Sequence, residues 1–201
     1  MKSNIISLKL NEGSYYTLLR SVIESWPREV MGEVYGKKKE DSIKVSNSYN
    51  FLTADRKPTF VSYGNIEALN RLRRLDEVVK RNKYLKNQIV GGFHSHVISR
   101  TNRDLPRKKQ NSLSKEDLDF IRQEMELSGK KEWVEILMRI EKKEYLALKG
   151  KAKKVTFHGR KMKVNVRDKA DEGYEITFSA FLIDKEMKSR EIQIRNGAMT
   201  L

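Results

Sequence analysis

Apolar positions along the chain recur at two spacings, and together they outline a domain of mixed α and β elements. Residues 5–10 alternate closely enough to predict a strand, after which Asn11 or Ser14 offers an N-cap. Tyr15, Leu18, Leu19, Val22, Ile23 and Trp26 then repeat at helical spacing, and Pro27 ends that helix. Residues 29–36, EVMGEVYG, suit a strand, and the charged run 37–41 suits a turn into a second strand over 42–52. The polar stretch 53–58 reads as loop. Ile66, Leu69, Leu72, Leu75 and Val79 form a second helical stripe. Residues 88–94, QIVGGFH, read as a buried strand, and 114–127 as a helix with Leu118, Ile121 and Met125 on its apolar face. Two strands are expected over 132–140 and 144–148 across a turn at 141–143. A hairpin of 154–157 and 162–166 follows, with closing strands at 174–183 and 192–194. No Ser/Gly-rich linker and no repeat divides the chain. The simplest organisation is one domain over 1–201, with a basic loop insert at 97–113 and a basic hairpin insert at about 150–168.

Composition sharpens this outline in two ways. The chain carries 42 Lys and Arg against 27 Asp and Glu, a net charge of +15, with pI ≈ 9.8 and mean hydropathy −0.70, which points to an anionic partner. The excess is local: residues 71–86 hold +5, 97–113 hold +4, 149–169 hold +8, and the rest of the chain is at −2. The absence of Cys excludes disulfides, thiol catalysis and thiolate metal sites. No apolar run approaches the roughly 18 residues that span a bilayer. The start, MKSNIISLKLNEGS, has too short an apolar stretch for a signal peptide, so a soluble cytoplasmic protein with no membrane partner is expected. Phe157 among basic residues hints at a nucleic-acid surface, but no RNA-binding signature, helix-turn-helix or zinc-finger spacing accompanies it. A solvated basic hairpin, with His158 in its turn, is the default.

Candidate chemistry gathers elsewhere. Two of the three histidines, His94 and His96, stand at i and i+2 at the end of a predicted strand, so both imidazoles leave the same face. Gly91 and Gly92 just before them allow another backbone or a substrate to approach closely. Ser114-x-x-Asp117 opens the next helix and reads first as a capping box. The order of parts adds a second meaning: two ring nitrogens, a loop, then a carboxylate in a first helical turn. Two nitrogens and one oxygen leave a fourth tetrahedral position for water, the composition of a catalytic zinc site. Such a site needs a general base, and Glu29 stands just after Pro27. The plain reading of Glu29, as of Glu33, is a surface carboxylate.

The segment Glu29-Val30-Met31-Gly32-Glu33-Val34-Tyr35-Gly36 resembles the E-x-x-G-x-[LV]-x-G stretch of the JAMM (MPN-plus, JAB-domain) zinc metalloproteases. His94-Ser95-His96 followed by Ser114-x-x-Asp117 resembles their H-[ST]-H…S-x-x-D motif, in the family's order, over residues 29–117. Val97 stands where the family usually has Pro, and the 17 residues 97–113 make a longer gap than is usual there. The resemblance implies an MPN/JAMM-like fold, a curved β-sheet flanked by helices in α/β, cytidine-deaminase-like layering. It implies a zinc-dependent peptidase or isopeptidase that cleaves ubiquitin-like modifier conjugates or processes ubiquitin-like or sulfur-carrier proteins. In that scheme His94, His96 and Asp117 hold Zn²⁺. Glu29 takes a proton from the activated water and delivers it to the leaving amine, and Ser114 helps hold the water or stabilises the oxyanion. A non-catalytic MPN scaffold and a basic nucleic-acid-associated protein stay open as other function classes. An acidic protein partner fits the basic loop, and oligomeric state leaves no mark in the sequence.

Overall fold

The N-terminal alternation forms β1 (Ser7–Leu10), and α1 (Glu12–Ser25) follows because Asn11 caps it, its side chain accepting the Ser14 N–H at 2.7 Å. The chain is described here from a computed structural model covering residues 5–52, 54–57, 60–63, 67, 70, 71, 74, 88–98, 110–144, 155–167 and 172–196. After α1 come β2 (Met31–Lys38), β3 (Ser42–Asn50), β4 (Ala54–Lys57), β5 (Phe60–Tyr63) and β6 (Gln88–Ile98). Then follow α2 (Lys115–Ser128), β7 (Glu132–Glu144), β8 (Thr156–His158), β9 (Lys161–Arg167), β10 (Glu172–Asp184) and β11 (Ser189–Asn196). Gly129, at φ 65°, terminates α2 in the left-handed conformation that glycine adopts without penalty.

Seven strands close on themselves. Each pairs with the next in the order β11, β1, β3, β2, β6, β7, β10, and β10 returns to β11 through Ala180–Ile183 against Ser189–Ile192. The first half of β10 instead pairs with β9, and β8 continues the sheet beyond the ring. Inside lies one apolar cluster: Leu8, Ile43, Val34, Phe93, Val97, Ile136, Met138 and Phe178 meet Leu18 and Val22 of α1. Each such side chain, fully buried, contributes about 1.5–3 kcal/mol of transfer free energy. A smaller cluster lies between the outside of the barrel and α2, where Ile121 and Met125 meet Trp133, Leu137, Phe181 and Ile183.

This architecture overturns the expected α/β arrangement of a curved sheet flanked by helices. The protein is mostly β, with a closed seven-stranded barrel and two helices bounded among the described residues. Two stretches also differ from the expected elements. Residues 141–143 are no turn: β7 runs through them, paired with β10 without a break from Glu132↔Asp184 to Glu144↔Glu172. Its charges are tolerated there because Glu141 is ion-paired with both Arg139 and Lys143. The expected loop at 53–58 contains β4, which pairs with β5 as a separate two-stranded sheet.

Other differences are smaller. β6 continues two residues beyond His96, so Val97 and Ile98 belong to a strand rather than to the 97–113 loop, of which 99–109 lie outside the described residues. Residues 67, 70, 71 and 74 are helical, whereas the stripe Ile66, Leu69, Leu72, Leu75 and Val79 lies outside the described residues, as do 145–148 and Lys154. Among the described residues, no helix is long and apolar enough to cross a membrane.

Candidate metal centre

Strand alternation sorts β6 into two rows. Phe93 and Val97 enter the barrel core, and His94 and His96 project from the opposite face. β6 lies parallel to β7, so the chain must leave at the carboxyl end of β6 and return through a crossover, which carries α2. The start of that helix is therefore brought beside the two imidazoles. Ser114 and Asp117 form a reciprocal capping box: Ser114 Oγ accepts the Asp117 N–H at 3.0 Å, and Asp117 Oδ2 accepts the Ser114 N–H at 2.6 Å. The same box aims the carboxylate at the histidines. Asp117 Oδ1 lies 3.4 Å from His94 Nε2, and Oδ2 lies 3.6 Å from His96 Nε2. Capping and convergence are thus properties of one side chain, and the three residues together form a group able to hold a metal ion.

The chemistry of this donor set fits a tetrahedral cation. Two ligand atoms each about 2.05 Å from one ion at the tetrahedral angle are about 3.3–3.4 Å apart, close to the separations found. His94 Nδ1 is 2.7 Å from Glu135 Oε1, which leaves Nε2 turned toward Asp117. That Nε2 is buried and makes no hydrogen bond, an arrangement that a metal ion would satisfy. Glu135 is itself fixed, its Oε2 accepting the Trp133 Nε1–H at 2.9 Å. This carboxylate–histidine pairing is the kind that orients metal ligands and sets their tautomer. It also depends on Gly92, paired with Glu135 across the ladder: a Cβ there would stand 2.9 Å from Glu135 Oε2 and 3.3 Å from the Trp133 ring. His96 is held differently, its Nδ1 lying 3.4 Å from the backbone carbonyl of Gln110.

Electrostatics point the same way. Burial alone would lower the His94 pKa, but Asp117 and then Glu135 outweigh it and raise it to about 10. Burial likewise favours neutral Asp117, yet the imidazoles of His94 and His96 and the Ser114 N–H hold its carboxyl far below the usual range. Both shifts have one cause, the Asp117 carboxylate set against the two imidazoles, and the same negative charge would favour a metal cation. Glu29 completes the group. The backbone just after it is clamped to β6, with the Val30 N–H donating to Ser95 Oγ and the Ser95 N–H donating to the Val30 carbonyl, each at 2.9 Å. Burial pushes the Glu29 carboxyl up to about 7, opposed by His94 and by the Val97 N–H, and reinforced by Asp117. A Pro at 97 would have no N–H to give.

Neither Glu29 nor Glu33 is a surface carboxylate: they are 7% and 8% exposed, and Glu33 Oε2 accepts the Tyr35 hydroxyl at 3.0 Å. Sequence reasoning brought together Glu29, His94, His96, Ser114 and Asp117 but missed Glu135, Arg139 and Gln110. A signal existed for the first two. In the otherwise apolar strand WVEILMRIE, Glu135, Arg139 and Glu141 share one face with Trp133 and Leu137. Charges confined to one face of a strand that is buried on both sides require partners.

No family model matches the chain, and no curated protein matches it. Among solved structures, the chain is similar to the solution structure of protein DSY2949 from Desulfitobacterium hafniense. The TM-score is 0.51 at 16% identity, over 94% of this chain and 92% of that one. At that identity the likeness concerns the fold alone.

Proposed function

We propose that the chain is a zinc-dependent peptidase or isopeptidase of the JAMM type, acting on ubiquitin-like conjugates or processing ubiquitin-like or sulfur-carrier proteins. One observation carries the reading: His94, His96 and Asp117 converge around a buried His94 Nε2 that makes no hydrogen bond, with the buried carboxyl of Glu29 beside them. The sequence resemblance over 29–117 supplies the reaction class. Zinc held by His94, His96 and Asp117 would supply Lewis acidity toward the scissile carbonyl and lower the pKa of water from about 15.7 to about 7.

The chain's own residues do the rest. Glu29, matched to that acidity by burial, accepts the proton of the attacking water on its carboxylate and returns it to the leaving amine. Ser95 and the Val97 N–H keep Glu29 in place during both transfers. Ser114 Oγ accepts the Asp117 N–H yet retains its own O–H for the developing oxyanion, where one well-aimed donor is worth about 3–4 kcal/mol. The basic stretches 71–86, 97–113 and 149–169 support an acidic surface on the substrate or on a protein partner.

The test is incubation of zinc-loaded protein with linear and isopeptide-linked ubiquitin-like conjugates, with products read by mass spectrometry. Wild type is expected to cleave, and Glu29→Gln to lose about 10²–10⁴-fold in kcat while keeping its zinc. Equal turnover by Glu29→Gln and wild type would sink this mechanism.

A further inference from the structure

The buried cation on the outer face of β7 has no part in the chemistry above, yet it touches the centre through one intermediary. Arg139 sits directly across the ladder from His96 and is 6% exposed. Its Nη2 donates to Glu141 Oε2 at 2.5 Å, its Nη1 lies 3.7 Å from Glu175 Oε1, and its Nε donates to Gln110 Oε1 at 3.1 Å. Both carboxylates have further cations, Lys143 on Glu141 at 2.9 Å and Lys163 on Glu175 at 2.5 Å. The guanidinium is a rigid planar fork without an acceptor, so the direction of Nε is fixed once Glu141 and Glu175 fix the other two nitrogens. Gln110 must then present its amide oxygen, not its nitrogen, to Arg139. Its own backbone carbonyl stands 3.4 Å from His96 Nδ1.

We propose that Arg139 is a positioning residue for the metal centre. Acting through Gln110, it fixes the ring orientation and the Nδ1–H tautomer of His96, so that Nε2 faces Asp117. The proposal rests on reading His94, His96 and Asp117 as metal ligands. A buried ion network is weak grounds for stability by itself, because similar apolar packing often does as well. Its value here is geometric. His94 is held by a carboxylate on β7, whereas His96 is held by the backbone carbonyl of Gln110, which belongs to none of the barrel strands. The Arg139–Gln110 hydrogen bond ties that residue to the strand that neighbours His96.

Removing Arg139 strands Glu141 and Glu175 and risks the fold, so Gln110 variants carry the test. Zinc alone is the probe, with affinity read by competition against a chromophoric chelator. The His96 tautomer is read from ¹⁵N shifts of the zinc-loaded protein. Gln110→Ala is expected to weaken zinc binding by about 10–100-fold and to replace the single His96 tautomer by a mixture, with the His94 ring signals unchanged. Gln110→Glu, which keeps an acceptor for Arg139 Nε, is expected to restore both. Wild-type affinity and a single His96 tautomer in Gln110→Ala would overturn the proposal and reduce Arg139 to a structural role. A His96→Ala variant that binds zinc as tightly as wild type would overturn the ligand reading itself, and the positioning role with it.

Discussion

The two faces of β6 and β7 are built from neighbouring residues and obey opposite rules. Inward, Phe93, Val97, Val134, Ile136, Met138 and Ile140 form an apolar core with α1. Outward, the alternate positions hold His94, His96, Glu135, Arg139 and Glu141, all but His96 buried and each with a charged or polar neighbour. The inner row stabilises by area removed from water and tolerates any well-filling apolar side chain. The outer row buries charge, which is costly unless each group meets a counterpart, and geometry rather than area decides its worth. A period of two thus lets one strand carry packing and chemistry side by side. Damage to one face should leave the other largely intact.

The largest effect is expected on the inner face. Phe93→Ala is expected to cost about 3–5 kcal/mol in unfolding free energy by urea titration, because a fully buried ring next to His94 is replaced by a cavity. The folded fraction should still bind zinc. Loss of binding at full folding would mean that the faces are not separable.

A smaller effect of opposite sign is expected from Glu29→Gln in the metal-free protein. Folding raises the Glu29 pKa from 4.5 to about 7, so the unfolded chain ionises first as pH rises. Wild-type stability therefore declines through this group between about pH 4.5 and 7, and the neutral Gln side chain escapes that loss. The variant's advantage should be small near pH 4, grow to at most about 3 kcal/mol, and level off above pH 7. A pH-independent difference would mean that Glu29 is not held in a desolvated position.

The mildest expected change is in ligand orientation. Glu135→Gln and Gly92→Ala each disturb the contact with His94 Nδ1, one by chemistry and the other by crowding, and each should weaken zinc affinity by about 10–100-fold. Metal-free urea midpoints should move far less than for Phe93→Ala. Unchanged affinity in both variants would show that His94 does not need its carboxylate partner.

Much of the outer face could be read locally. The i, i+2 histidines on a strand and the capped carboxylate in a first helical turn are short-range patterns, and so is the strand after Pro27, although β2 begins at Met31 and leaves Glu29 just before it. The barrel could not be read that way. Its closure pairs β1 with β11 in parallel, Ser7 against Gln193, and no local sequence signal reports a pairing across that separation. The 141–143 stretch misled for a related reason: Glu141 and Lys143 look like a turn until Arg139 and the β10 partners opposite them are known. Likewise Gln110 becomes meaningful only once β7 is placed beside β6.

The most direct measurement is zinc content by inductively coupled plasma mass spectrometry after zinc loading and exhaustive dialysis, on wild type beside His94→Ala and Asp117→Ala. Close to one equivalent of zinc in wild type and almost none in either variant is predicted. Zinc-free wild type, or zinc retained equally by all three proteins, would contradict a metal centre at His94, His96 and Asp117.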